Sequence, residues 1–134
     1  MKRIIKSESG SASVEFVALA LPLFVPIILF LHQFASVSGQ EEIARTLARE
    51  GARAFVTSSN QLSAAAAMTA VIQRAGRELG LREEEFERMA INLECSDSPC
   101  HSPNGRIVVT VHFGALKEFR AVTASAQEYI SPWS

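Results

Sequence analysis

The run from Phe16 to Leu31 constrains this chain more than any other stretch, because its sixteen consecutive residues include no charged or hydrogen-bonding side chain. At about 1.5 Å per residue a helix over that run covers roughly 24 Å, and extending it from Val14 to Ala35 brings it to roughly 33 Å, the hydrocarbon thickness of a bilayer. A lone segment crosses lipid only as an α-helix, since each backbone N–H and C=O must find its partner within the segment. One ionisable group, Glu15, lies between Val14 and the run itself. A carboxylate at that depth is costly unless paired, which marks it as a functional position rather than a filler.

The length of 134 residues leaves room for one membrane helix and one small extramembrane domain, not for two independent cores. Thirteen basic residues against fourteen acidic ones give −1, so the chain carries no nucleic-acid footprint. The placement of charge says more than its total. Lys2, Arg3 and Lys6 against Glu8 give residues 1–10 a net +2, leaving 10 basic and 13 acidic residues, a net −3, for the remainder. Basic residues directly before an apolar run place the N-terminus in the cytoplasm and the rest outside. Cys95 and Cys100 then lie in the exported part, where a disulfide forms and persists.

A short basic leader, then Gly10, the small residue Ser11, and a glutamate at the fifth position counted from Ser11 resemble a type IV prepilin cleavage site. Within that class, GSASVEFVALALPLF is similar to the TadE-like family of minor pilins, or pseudopilins, of tight-adherence (Flp-type) pilus systems. A second match follows downstream. Ala44-Arg45 and then Ala48-Arg49-Glu50-Gly51-Ala52-Arg53-Ala54 resemble the Ala/Arg/Gly helix that trails the membrane segment in that family, so that the two matches cover roughly residues 7–56.

The resemblance implies cleavage after Gly10 by a prepilin peptidase, giving a leader of residues 1–10, a transmembrane helix over 11–38 and an extracytoplasmic pilin-like domain over 39–134. It implies a structural role in pilus assembly and adhesion. The implied partners are the prepilin peptidase, other pilins and pseudopilins, inner-membrane assembly proteins and membrane lipid. The expected location is a single pass of the inner membrane, or the extracellular pilus itself. Glu15 acquires a physical task here: once cleaved, Ser11 carries a free ammonium, and a carboxylate four residues on can neutralise it within the chain or in a neighbour. Two rival readings are a secreted domain released after Ser36-Val37-Ser38 and an uncleaved single-pass anchor with a binding or regulatory outer domain.

The remaining sequence sets out the fold. Ser11 or Ser13 can cap the first helix, and Pro22 and Pro26, each lacking a backbone donor, predict a bend around residues 18–26. Beyond the mixed stretch from His32 to Gln40, Ile43, Ala44, Leu47, Ala48, Ala52 and Phe55 form an apolar stripe. Arg45, Arg49 and Arg53 recur on another face and read as solvated, while Ala48, Gly51 and Ala52 allow a second element to approach closely. Thr57 to Asn60 is a turn and cap cluster. A second helix is expected from Gln61 to Leu79, with Leu62, Ala65, Met68 or Thr69, Ile72, Ala75 and Leu79 on one face and Gly80 ending it.

Glu83, Glu84, Glu85 and Glu87 around Phe86 read as a charged surface. Met89, Ile91 and Leu93 alternate as a half-buried strand, and Ile107 to Phe113 is the most β-prone run, so the two predict an antiparallel hairpin. Asn104-Gly105 supplies a turn between them. A third run, Phe119 to Tyr129, alternates weakly through Phe119, Ala121, Thr123 and Ser125, and Trp133 is expected to tuck against the sheet. The fold class is therefore α+β: a long membrane helix continuing into a stem, then a second helix on a small antiparallel sheet with one disulfide.

Chemistry beyond that disulfide finds little support. A zinc site at Cys95, Cys100 and His101 would have to recruit His112 and Asp97, a strand residue and a loop residue, and the spacing is not that of a CxxC redox pair. No glycine-rich phosphate loop, HExxH, GxSxG or paired-carboxylate motif occurs. The chain reads as a non-enzyme with no cofactor.

Overall fold

The structure, a computed structural model, describes residues 11–116 and 120–133, so the leader residues 1–10 and Phe119 lie outside the described residues. The elements in order are α1 (Ser11–Val56), α2 (Gln61–Glu78), α3 (Glu83–Glu87), β1 (Met89–Cys95), β2 (Arg106–Phe113) and β3 (Val122–Tyr129). This is the expected α+β class. The chain divides into two compact units between Ser36 and Val37.

The first unit holds the apolar part of α1. Its large apolar side chains from Val14 to Phe34 are 46–77% exposed, so no protein surface covers them. A helix apolar on every side satisfies its backbone internally but has no reason to face water, and lipid is the solvent that suits it. α1 is the one helix among the described residues long and apolar enough to cross a membrane. The helix continues across both Pro22 and Pro26 and through Gly39.

In the second unit the core is built from α1 beyond Gly39, α2 and one face of the sheet. Ala44, Leu47, Ala48, Ala52 and Phe55 are all fully buried, as the stripe predicted. Small residues set how closely α2 approaches. A Cβ on Gly51 would lie 2.6 Å from Cδ1 of Ile72, a separation that real contacts do not reach. α2 opens on Asn60, whose Oδ1 accepts from the Ser63 backbone N–H at 3.0 Å. It closes at Leu79, after which Gly80 takes the left-handed conformation at φ +84°.

Helix α2 turns inward a face that overlaps the expected one at Met68, Ile72 and the half-buried Ala75 but departs from it at both ends. Ala64, Met68, Ile72 and Gly76 are buried, whereas Leu62 is 87% exposed, Ala65 is exposed and Leu79 is 43% exposed. The interface combines the large Met68 and Ile72 with the small Ala64 and Gly76, which let the helices come together. Gly76 shows this again, since a Cβ there would meet the Phe86 ring at 2.7 Å. Phe86 is carried by α3, a five-residue helix formed by the glutamate-rich stretch, where the Arg82 N–H donates to Glu85 Oε2 at 2.9 Å.

The sheet has the order β1-β2-β3, antiparallel throughout. Its register pairs Met89 with Phe113, Cys95 with Ile107, Phe113 with Val122 and Arg106 with Tyr129. Ile107, Val109, Val111 and Phe113 are buried, and register carries Val122, Ala124 and Ala126 to the same face. This reverses the alternation read from sequence, for Thr123 and Ser125 point outward. There they bond across the strands, Ser125 to Thr110 at 2.8 Å and Thr123 to Nδ1 of His112 at 2.7 Å.

The third strand thus exists, though with the opposite phase. Trp133 does not tuck in, being 94% exposed, and Ile130 fills that role at 1%. The backbone decides between them. The Ile130 N–H donates to Gly105 at 2.9 Å and its carbonyl accepts from Asn104 at 3.2 Å, which fixes the Ile130 side chain in the core and carries the chain past it.

Candidate functional site

The N-terminal end of α1 gathers the residues that sequence singled out for processing and assembly. Gly10 lies outside the described residues. Ser11 is the first residue of α1, and Glu15 stands one turn further along. In an α-helix, positions i and i+4 share a face about 6 Å apart along the axis, so a charge at residue 11 and a carboxylate at 15 fall on one line. Glu15 is exposed and has no hydrogen-bond or ion-pair partner among the described residues. Pro22 and Pro26 follow within the apolar stretch, both exposed and both inside the helix.

The second group lies where β1 ends and the chain loops toward β2. Cys95 and Cys100 form a disulfide with Cα atoms 5.2 Å apart, so neither offers a thiolate to a metal or a redox reaction. The disulfide closes the loop leaving β1, which is pinned further by Ser96, whose N–H donates to the Arg106 carbonyl and whose Oγ accepts from the Arg106 N–H, both at 2.9 Å.

His101 and His112 do not converge. His112 bonds Thr123 on the outer face of the sheet, whereas His101 lies against Phe55, ring centroids 6.0 Å apart. Asp97 takes a hydrogen bond from the Ser96 hydroxyl at 2.6 Å. Among the described residues no group of three or more His, Cys, Asp or Glu is placed to hold a metal ion. His101 has a packing role that sequence did not reveal. Its Nε2 is buried with no hydrogen-bond partner among the described residues, and its ring adjoins the largest fully buried side chain of the core. No periodicity points at a lone loop histidine, so only the fold could disclose this contact.

The arginine row of α1 is solvated, as expected, but not uniformly. Arg45 bonds Glu41 at 3.0 Å and Glu42 at 2.9 Å, while Arg49 and Arg53 have no ion pair among the described residues.

Comparison with known proteins bears on the same region. The model of a family described as TadE-like protein matches residues 10–53, which spans the Gly10-Ser11 junction, Glu15, the apolar helix and the Ala/Arg/Gly stretch. This bears out the resemblance read from the sequence. No curated protein and no solved structure matches the chain.

Proposed function

We propose, from the TadE-like character of residues 10–53, that this protein is a component of a Tad pilus system, acting as a pseudopilin cut after Gly10 and contributing to pilus assembly and adhesion. What carries the reading is one arrangement within the family match: Glu15, unpartnered among the described residues, one turn after Ser11 at the head of an exposed apolar helix. Before cleavage the basic leader holds the N-terminus on the cytoplasmic side and α1 anchors the chain in the inner membrane. A prepilin peptidase then removes residues 1–10. The new ammonium of Ser11 pairs with Glu15 of its own chain or of a neighbouring subunit, which offsets the cost of holding either charge in lipid and sets the axial register between packed helices. Pro22 and Pro26 leave carbonyls without helical donors, and α1 bends or unwinds there as subunits pack.

Edman sequencing of the protein extracted from membranes tests this directly. A start at Ser11 is the expected result. A start near Gly39 would mean release by signal peptidase, and an intact Met1 would mean an uncleaved anchor. Coexpression with a prepilin peptidase should also leave a Gly10→Val variant unprocessed, because a site built for glycine has no room for a branched side chain. Normal cleavage of that variant, read as a mobility shift on gels, removes the basis for naming the site.

A further inference from the structure

β3, like β1, is an outer strand of the sheet, and no described strand pairs with its far side. Its register with β2 is unbroken from Val122 to Tyr129, so alternate residues of β3 turn their backbone N–H and C=O groups away from the ladder. Folded proteins ordinarily blunt such an edge with proline, lysine, a bulge or a covering element. The strand VTASAQEY has no proline, no lysine and no bulge. α1 runs beside the edge but leaves a groove, lined by Arg49, Glu50 and Arg53 on one wall and by Ser125 to Glu128 on the other.

The groove is lined by two basic and two acidic residues, and the more exposed charges are the basic ones. Arg49 and Arg53 are exposed and unpaired among the described residues, whereas Glu50 and Glu128 are half-buried and make no ion pair with them. Spacing adds a constraint on what can lie there. Four helical residues advance about 6 Å, and two residues of an extended strand advance about 6.8 Å. The two arginines therefore match carboxylates at alternate positions of an extended chain.

We propose that the groove between α1 and the β3 edge takes an extended segment of a partner protein, which adds to the sheet as a fourth strand and carries acidic side chains at alternate positions. Main-chain hydrogen bonds to β3 supply the affinity, and Arg49 and Arg53 select the sequence. A second copy of this chain fits poorly as the occupant, since β1 and β3 each contain a single acid, Glu94 and Glu128, and the glutamates of residues 83–87 are helical. The inference stands on the sheet edge and the groove alone and holds whether or not the protein enters a pilus.

The test uses the full chain in detergent micelles and a fluorescent eight-residue peptide alternating Glu with Val and Thr, with empty micelles as the blank. Anisotropy should show saturable binding, weakened by about tenfold when lysine replaces glutamate or proline is placed at the centre. Hydrogen exchange should slow in β3 and not in β1. The double substitution Arg49→Glu and Arg53→Glu should lose about tenfold in affinity, the scale of two lost ion pairs plus repulsion. Arg49→Lys with Arg53→Lys, which keeps the charge, should bind within a few-fold of the parent and controls for folding. Equal binding of the lysine peptide, protection of β1 instead of β3, no binding, or indifference to charge reversal each overturns the proposal. So does protection of β3 that rises with protein concentration in the absence of peptide, which would make a second copy the occupant.

Discussion

Gly51 and Ile72 show how narrow the tolerances of this core are. Gly51→Ala would gain about 1 kcal/mol of helix propensity on an open surface. Here the new methyl meets Ile72, itself fully buried, at 2.6 Å. Overpacking of this kind costs about 1 to 3 kcal/mol, so the collision wins and urea unfolding should show a net loss of about 1 kcal/mol. Adding Ile72→Val removes the nearer of the two clashing carbons and should recover part of that loss. A single variant more stable than the parent would mean that Ile72 is free to move. Glu15 makes a different test. Glu15→Gln keeps size and hydrogen bonding but removes the charge, so the peptidase should still cut after Gly10. The processed protein should then accumulate in the inner membrane with piliation lost, because the Ser11 ammonium has no counter-charge. If the variant assembles like the parent, the carboxylate serves only as a favourable charge at a helix N-terminus.

The elements divide sharply between those legible in sequence and those not. β2 was plain, because the run from Ile107 to Phe113 is dense in β-branched residues, and Ile107, Val109, Val111 and Phe113 are all buried. β3 was visible as a strand but misread in phase. Ala121, Thr123, Ala124, Ser125 and Ala126 offer almost no hydrophobic contrast, and it is the pairing of Val122 with Phe113 that decides which side faces in. The face of α2 was legible in part: Met68 and Ile72 turn inward as expected, but Leu62 and Leu79 were weighed above Ala64 and Gly76, although close helix approach needs small residues. The Cys95–Cys100 disulfide was legible from spacing and compartment, and its contribution belongs to this scale because it ties the end of β1 to its loop. Replacing both cysteines by alanine should lower stability by about 2 kcal/mol, less than a long-loop disulfide would lose. The oxidised protein should weigh two hydrogens less than the reduced form. Two thiols that alkylate readily in the native protein would count against the bridge.

At the scale of the whole molecule, exposure divides the chain as cleanly as contacts do. Of the nineteen exposed large hydrophobic residues among the described ones, fourteen fall between Val14 and Phe34, and every residue of the buried core falls between Ala44 and Ile130. Removing residues 1–36 therefore takes away apolar surface that needs lipid while leaving the core, the Asn60 cap, the sheet and the disulfide in place. A chain starting at Val37 and exported to an oxidising compartment should be soluble without detergent and unfold in one cooperative transition. The new helix end would fray over its first turn, where a Cβ added at Gly39 would meet nothing and no buried residue precedes Ala44 among the described residues, so little stability is at stake there. Calorimetry and hydrogen exchange would check this, with the slowest-exchanging amides expected in β2, the central strand, and in the α1 segment around Leu47 to Phe55. Aggregation, dye binding to exposed apolar surface or gradual melting would mean that the domain depends on the membrane helix for its fold. The full chain, by contrast, should stay soluble only in detergent or lipid, since the large apolar side chains from Phe16 to Leu31 are exposed and no described residue covers them.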